Sequence, residues 1–558
     1  MSTQAIPAIT SSGQPVLILR EGSSQNRGRE AQRNNIAAAK LIAEVVRSSI
    51  GPRGMDKMLV DSLGDVTITN DGATMLKEID VQHPAAKMLV EVSKTTDNEV
   101  GDGTTSAVIL AGALLEKAEE LLDKDVHPTV IVDGYTKASR TALESLRDVA
   151  EKIEPQDKPW LTKIARTSMQ TKLVAKEAQF LADMIVDAIL AVAEKAEKGF
   201  KVDIDNVKVE KKPGGSLGDT RLVQGIVLDK EVVHSGMPKR VEKAKIALVS
   251  APFEIEKTEF DAKLNINDPA MMKRFLDEET KMLKGMVDKM VEVGATVVVC
   301  QKGIDDIAQH YLAKAGILAV RRAKESDMTK LAKATGARMV NNFTDLSERD
   351  LGYAALVEVR KVEEDRWVFV EGCRNPKAVT ILIRGGTQRI VDEAERSVHD
   401  ALMVTKDVVE KPSVVAGGGA PEAEAAYRVM TWSEKLTGRE QLAAQKFAEA
   451  LESIPIALAE NAGMDPIDAQ VDFRAKHAEG GKWFGIEASD GKVKDMYQKQ
   501  VFEPLSVKEQ VIRSATEAAS MILRIDDVIA ASKMKAPPGP PGGGGGMGGM
   551  GEGGGDFD

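Results

Sequence analysis

Between residues 295 and 336 the apolar pattern alternates between two periods, and this stretch limits the fold more than any other. ATVVVC (295–300) and ILAV (317–320) are short apolar runs of strand length, while IDDIAQHYLAKAG (304–316) and SDMTKLAKATG (326–336) carry apolar residues at helical spacing. Strand, helix, strand, helix in that order predicts a parallel sheet with helices on its faces. Before it, a long amphipathic run opens at Asn267-Asp268-Pro269, with Asp as cap and Pro just inside the helix. Both ends of the chain read mostly helical. The pattern therefore describes an α/β domain inserted into a helical one.

At 558 residues the chain is long enough for several domains. The N-terminal region offers a short strand in the VLIL run after Pro15, then a helix over 29–50 with Ile36, Leu41, Ile42, Val45 and Val46 on its apolar face. Gly51-Pro52 is expected to stop that helix. The alternating stretch Val66 to Thr69 leads into Asn70-Asp71-Gly72, a hairpin or turn signal. At the far end, residues 537–558 hold 12 of the 47 glycines, a composition that cannot bury enough surface to order itself. The formal charge of −11 argues against a nucleic-acid footprint. Cys300 and Cys373 are far apart and read as core thiols of a reducing compartment. With no signal pattern in the first thirty residues and no apolar run of spanning length, the expected location is cytoplasmic, away from any membrane.

The stretch GDGTTSAVILAGALLEKAEELL (101–122) places a glycine-bounded loop before a helix. Such a loop offers free backbone N–H groups and a helix dipole to an anion, and Asp102 adds a hard oxygen suited to Mg²⁺. The same residues also serve as a plain helix cap, and the pattern does not choose between the two. Three further glycine loops, IGPRG (50–54), VAGGGAPE (415–422) and IRGGT (383–387), read as a helix end, a possible close backbone approach and a turn. There is no Walker A motif and no Ser-His-Asp arrangement, and the six His lack ligand spacing. Asp71 reads as turn chemistry. Asp400, about 200° around its helix from Val398, reads as part of a solvated face. The cluster Met271, Met272, Phe275 and Leu276 fits either a core-facing helix or an adaptable contact surface.

The ordered set REAQRNNI, GPRGMDKMLV, TNDGATML, HPAAKMLVEV, GDGTTSAV, VLDKEVVH, CQKGIDDIAQHYL, VAGGGAPE, GREQLA, ENAGMDPID and ILRIDDVI resembles the group II chaperonins, from about Pro15 to Ser532. The Gly/Met tail is more similar to the archaeal members. The resemblance implies a multidomain fold mixing α+β and α/β parts. A mostly helical equatorial domain would come from 1–155 and 413–535, and a small α/β intermediate domain from 156–224 and 377–412. The inserted α/β apical domain would occupy 225–376, with a helical protrusion near 255–290, and 536–558 would be a disordered tail. It implies an ATPase that binds unfolded proteins and encloses them in a double-ring chamber whose built-in lid closes with hydrolysis. The rings would hold on the order of eight or nine copies or paralogues.

Carried over by motif, Asp102 matches a magnesium ligand and Gly103, Thr104, Thr105 and Ser106 match phosphate-binding residues. Ser49, Ile50, Gly51, Pro52, Gly72 and Gly418 match backbone beside the nucleotide. Glu503 in VFEPL matches a ribose-binding carboxylate, with Lys508 nearby, and Lys172 in RTSMQTK matches a γ-phosphate sensor. Asp400 in ERSVHDAL, with Asp71, matches the catalytic pair, and Met271, Met272, Phe275 and Leu276 match the lid. The segment 485–500 departs from the family's wording around Glu487 and Ala488, and Ser506 stands where relatives commonly carry Arg. Two rival functions, a small-molecule kinase or ligase and a non-hydrolysing scaffold, lack an acceptor site in the first case and conflict with the retained carboxylates in the second.

Overall fold

The computed structural model describes residues 7–9, 15–17, 24–61, 63–197, 199–255, 269–373 and 377–530. Two units partition the chain, one from residues 1–34 and 525–558 and one from residues 35–524. In the first, Pro7–Ile9 pairs antiparallel with Pro15–Leu17, which overlaps the expected VLIL strand in Val16 and Leu17. Ser24–Arg27 pairs antiparallel with Asp527–Ala530, so the two chain ends share one ladder. The glycine tail and the Asn267-Asp268 helix opening lie outside the described residues.

The second unit contains a helical body built from both halves of the sequence. The helix Thr104–Leu122 is apolar around most of its circumference, and it is buried accordingly between Leu505–Leu523 and Arg439–Leu451. Leu110, Leu114, Phe447 and Val511 belong to one core. Tyr135 stacks edge-on against Phe447 and donates its hydroxyl to the Leu114 carbonyl at 2.8 Å, which satisfies the one polar atom it buries.

Three local expectations need correction. The first long helix ends at Arg47, and Leu41 is 67% exposed. Its buried stripe runs through Ile36, Ala39, Ile42, Ala43 and Val46, because small residues let Gly112 of the neighbouring helix approach until a Cβ there would sit 2.3 Å from Ala43. Asn70-Asp71-Gly72 makes no hairpin: Lys57–Val60 and Val66–Thr69 pair across the preceding turn, and Asp71 caps the helix Gly72–Glu78. The third concerns the sheet, which is mixed rather than purely parallel. Arg240–Val249, Val297–Cys300 and Leu318–Val320 run parallel, as the alternating stretch predicts. Gly352–Val362, Asp365–Cys373 and Gly225–Leu228 extend the other edge antiparallel.

Both faces of the parallel strands are covered, which is why they read as unbroken apolar runs. Ile246, Leu248, Val297 and Val299 meet Met328 and Leu331 of the helix Glu325–Thr335. The alternate residues Ala247, Val249, Val298 and Cys300 meet Leu283 and Val287 of Pro269–Glu292 and Leu312 of Asp306–Lys314. A separate small sheet sets Val207–Pro213 parallel to Val379–Gly385, joining the two segments that flank this α/β part. Among the described residues no helix is long and apolar enough to cross a membrane.

Candidate functional site

Two glycines turn the chain at the head of the site. Gly101 ends the helix Pro84–Val100 at φ 68° and Gly103 starts Thr104–Leu122 at φ 78°, a left-handed backbone that glycine adopts without steric penalty. Gly103 gives that helix no side-chain cap, so its first turn opens uncapped on a cavity of about 620 Å³. A helix capped by its own side chain would place a hydroxyl or carboxylate there; here the position is glycine.

Carboxylates surround that helix end. Asp102 accepts the Gly103 N–H at 2.7 Å through Oδ1 and the Ser168 hydroxyl at 2.9 Å through Oδ2. Asp71 accepts the Thr74 N–H at 2.8 Å as a cap, while its other oxygen accepts the Thr104 hydroxyl at 3.3 Å. In place of the turn role read from the sequence Asp71 caps a helix, and the same side chain also lines the cavity.

Asp400 overturns its expectation of a solvated face. It is 7% exposed and ion-paired with Lys172. The helix Gln388–Glu410 buries two stripes rather than one. Val391, Ala394, Val398 and Ala401 enter the apolar core, while Glu393, Ser397, Asp400 and Asp407 form a second buried line at helical spacing. Burial would lower the Lys172 pKa, but Asp400, Asp102 and Asp71 outweigh it and hold the ammonium above the ordinary lysine value. Burial pushes Asp400 well above the carboxylate range; Lys172 pulls it down, and Asp71 and Asp102 push it further up.

The other wall comes from Gly418 and Gly419 and the strand Phe502–Pro504. A Cβ on Gly418 would lie 2.8 Å from Met496 and 3.0 Å from the Ile486 carbonyl, so backbone passes there only as glycine. Glu503 and Lys508 pair at 2.5 Å. The divergent segment 485–500 begins as the hairpin Phe484–Glu487 with Lys492–Asp495, which brings Glu487, Ala488 and Ser489 to the cavity. Arg53 clamps it by donating to the Ser489 carbonyl at 3.0 Å, and Ser49, Ile50, Gly51 and Pro52 line the adjoining rim.

Thus Asp71, Asp102, Gly103, Thr104, Thr105, Ser106, Lys172, Asp400, Gly418, Ala488, Glu503 and Lys508 converge on one cavity. Gly72 stands behind it, where a Cβ would come 2.6 Å from the Thr105 hydroxyl. Met271, Met272, Phe275 and Leu276 lie elsewhere, 45–55% exposed on Pro269–Glu292, so they do not form a core-facing stripe. Sequence reasoning missed Ser168, which holds Asp102, and Asn70, whose amide donates to the Thr171 carbonyl at 2.6 Å. Asn70 is the neighbour of Asp71, and Ser168 lies in the RTSMQTK stretch quoted for Lys172, which was the available signal.

The chain thus sets a cavity at the first turn of a helix, walled by carboxylates with the buried Lys172 and Lys508 among them, in a helical body that carries an α/β insertion. The chain belongs to the TCP-1/cpn60 chaperonin family, which it matches over residues 42–533. It is 58% identical to thermosome subunit alpha of Archaeoglobus fulgidus, over 95% of this chain and 98% of that one. It is 58% identical to a thermosome subunit of Pyrococcus horikoshii, over 94% and 95%, and 56% identical to thermosome subunit beta of Sulfurisphaera tokodaii, over 97% and 98%. It is a group II chaperonin subunit of the archaeal kind, an ATP-dependent chaperone with ATPase activity.

Proposed function

We propose that the cavity at Gly103 is the ATP site and that Lys172 and Asp400 report its occupancy to the rest of the chain. The N–H groups and hydroxyls of Gly103 to Ser106 take the phosphates, Lys172 contacts the terminal one, and Glu503 with Lys508 holds the ribose. Ser49 to Pro52, Gly418 and Ala488 enclose the rest of the nucleotide, and Gly72 allows the Asp71 turn to approach Thr105. Asp71 and Asp400 orient the attacking water, which suits phosphoryl transfer, where positioning and charge neutralisation do most of the catalysis. Asp71, Asp102 and Asp400 around Lys172 leave local negative charge that suits Mg²⁺, normally bound through one or two carboxylates plus phosphates, with Asp102 as its protein ligand. The ion would neutralise phosphate charge.

In this reading residues 1–155 and 413–535 form the equatorial domain, 156–224 and 377–412 the intermediate domain, and 225–376 the apical domain. The exposed Met271, Met272, Phe275 and Leu276 belong to a lid over a chamber for unfolded proteins, assembled from copies or paralogues in two stacked rings. The alpha and beta subunits named among the relatives support a multi-subunit assembly. The single observation that carries the ATP site is the Lys172–Asp400 pair, drawn from two distant segments and grouped with Asp71 and Asp102. Hydrolysis followed as Mg²⁺ is titrated tests it: Asp102→Asn is expected to need at least about tenfold more Mg²⁺. An unchanged titration would remove Asp102 from the site.

A further inference from the structure

Behind Lys508 lies a carboxylate that the nucleotide site does not account for. Glu422 sits in the first turn of the helix Ala420–Ser433, is 2% exposed and does not line the cavity. Its Oε1 is 2.9 Å from Lys508 Nζ, and neither of its oxygens has a hydrogen bond of good geometry. Lys508 in turn reaches forward to Glu503 Oε2 at 2.5 Å. Glu503 and Lys508 do face the cavity.

An acid in the first turn of a helix is ordinary, since the dipole favours it there. Lys508 is not: it occupies the first turn of Leu505–Leu523, where the same dipole repels a cation. Its side chain is buried as well. Two carboxylates therefore hold one buried ammonium in a place it would otherwise avoid, and the group carries one negative charge in excess. That excess is relieved by a neutral donor such as a sugar hydroxyl.

We propose that Glu422 is a positioning residue for the nucleotide ribose: it anchors Lys508 from behind, so that Glu503 is held against the cavity wall while keeping acceptor capacity for hydroxyl donors. This rests on the ATP-site reading given above. Gly417 makes the placement possible, because a Cβ there would come within 2.6 Å of Glu503 Oε1. Burial and the Glu422 charge both raise the Glu503 pKa, against the pull of Lys508, as expected for an acceptor that is short of donors.

The test compares ATP with 2′,3′-dideoxy-ATP as substrates of the assembled protein, reading KM and kcat separately. Wild type is expected to prefer ATP through KM, and Glu503→Gln to abolish the preference. Glu422→Gln frees Lys508 to neutralise Glu503 alone, so the preference should fall roughly three- to tenfold in KM, with kcat changed by less than about twofold. Glu422→Asp should recover part of it. If Glu503→Gln removes the preference while Glu422→Gln keeps it, Glu422 is only structural and the proposal fails. If Glu503→Gln keeps the preference, the ribose reading itself fails, and this one with it. Should Glu422→Gln not assemble, Glu422→Asp carries the test alone: a KM preference reduced from wild type supports the proposal, and a preference equal to wild type overturns it.

Discussion

Lys172 and Asp400 stand 228 positions apart in the chain, yet they form an ion pair with both side chains more than nine-tenths buried. Lys172 follows the helix Lys158–Met169, while Asp400 rides on Gln388–Glu410 beyond the whole inserted sheet. A buried pair of this kind contributes little net stability, because desolvation offsets the attraction. Its placement is better understood through the site that it closes. Removing one partner is far more damaging than never having the pair, at about 3–5 kcal/mol.

Asp400→Asn tests the catalytic assignment without leaving that hole, since the amide still accepts from Lys172. On the proposed reading hydrolysis should fall at least about a hundredfold while ATP binding stays within a few-fold. Single-turnover hydrolysis beside nucleotide titration measures both. A rate near wild type would take Asp400 out of the chemistry.

Lys172→Met addresses the electrostatics. The Lys172 charge pulls the Asp400 pKa down, while burial, Asp71 and Asp102 push it up. Without the ammonium the carboxyl gives up its proton only at higher pH. The acidic limb of the kcat/KM profile should therefore move upward by at least about one pH unit. A limb that stays put would show that Asp400 does not set it.

Gly101→Ala probes the seating of the Asp400 helix. A Cβ on Gly101 would lie 2.3 Å from Met403 Cβ, and the residue holds φ 68°. Met403 is one turn from Asp400, so the added methyl displaces the helix just where the carboxylate enters the site. Hydrolysis should drop roughly tenfold with ATP binding retained, since about 1 Å of misplacement can remove far more than that. Met403→Gly in the same chain removes the clash and should restore part of the rate. Failure of that rescue would assign the loss to backbone strain at Gly101 alone.

The contrast between Gly101 and Asp400 shows what was legible in the sequence. Loops announce themselves locally: VAGGGAPE could be read as a close backbone approach, and GDGTTS as a glycine turn into a helix, though not whether that turn served an anion or only a cap. The strand–helix alternation of 295–336 was equally readable, since each element buries its own period. Asp400 was not, because a helical wheel assumes one buried face. Gln388–Glu410 buries a second one, through Glu393, Ser397, Asp400 and Asp407, and only the tertiary contacts make that visible. The motif resemblance supplied what periodicity withheld. Leu41 failed in the opposite sense: an apolar residue at core spacing was left outside by alanine-mediated packing. The antiparallel half of the large sheet was lost for a third reason, since its strands lie outside the alternating stretch, on both sides of it.

Asp407, a further two turns along the same helix, carries the clearest pH dependence. It accepts the Ser506 hydroxyl at 3.0 Å, and burial pushes its carboxyl up to about 6, with that hydrogen bond and the charges of Lys406 and Lys411 opposing and Glu410 adding to the rise. An unfolded aspartate titrates near 3.9. The native state thus binds the proton more tightly, so the contribution of Asp407 is greatest below about pH 4 and is lost as pH rises to about 6, amounting to about 3 kcal/mol at most. Asp407→Asn lacks this loss. Urea unfolding of both proteins at intervals from pH 4 to 7.5 should show the variant gaining on wild type up to about pH 6 and then running parallel. Ser506→Arg should give the same flattening by another route, because a guanidinium beside Asp407 lowers its pKa toward the unfolded value and makes ionisation at neutral pH inexpensive. Curves that run parallel over the whole range for Asp407→Asn would show that Asp407 keeps an ordinary pKa despite its burial.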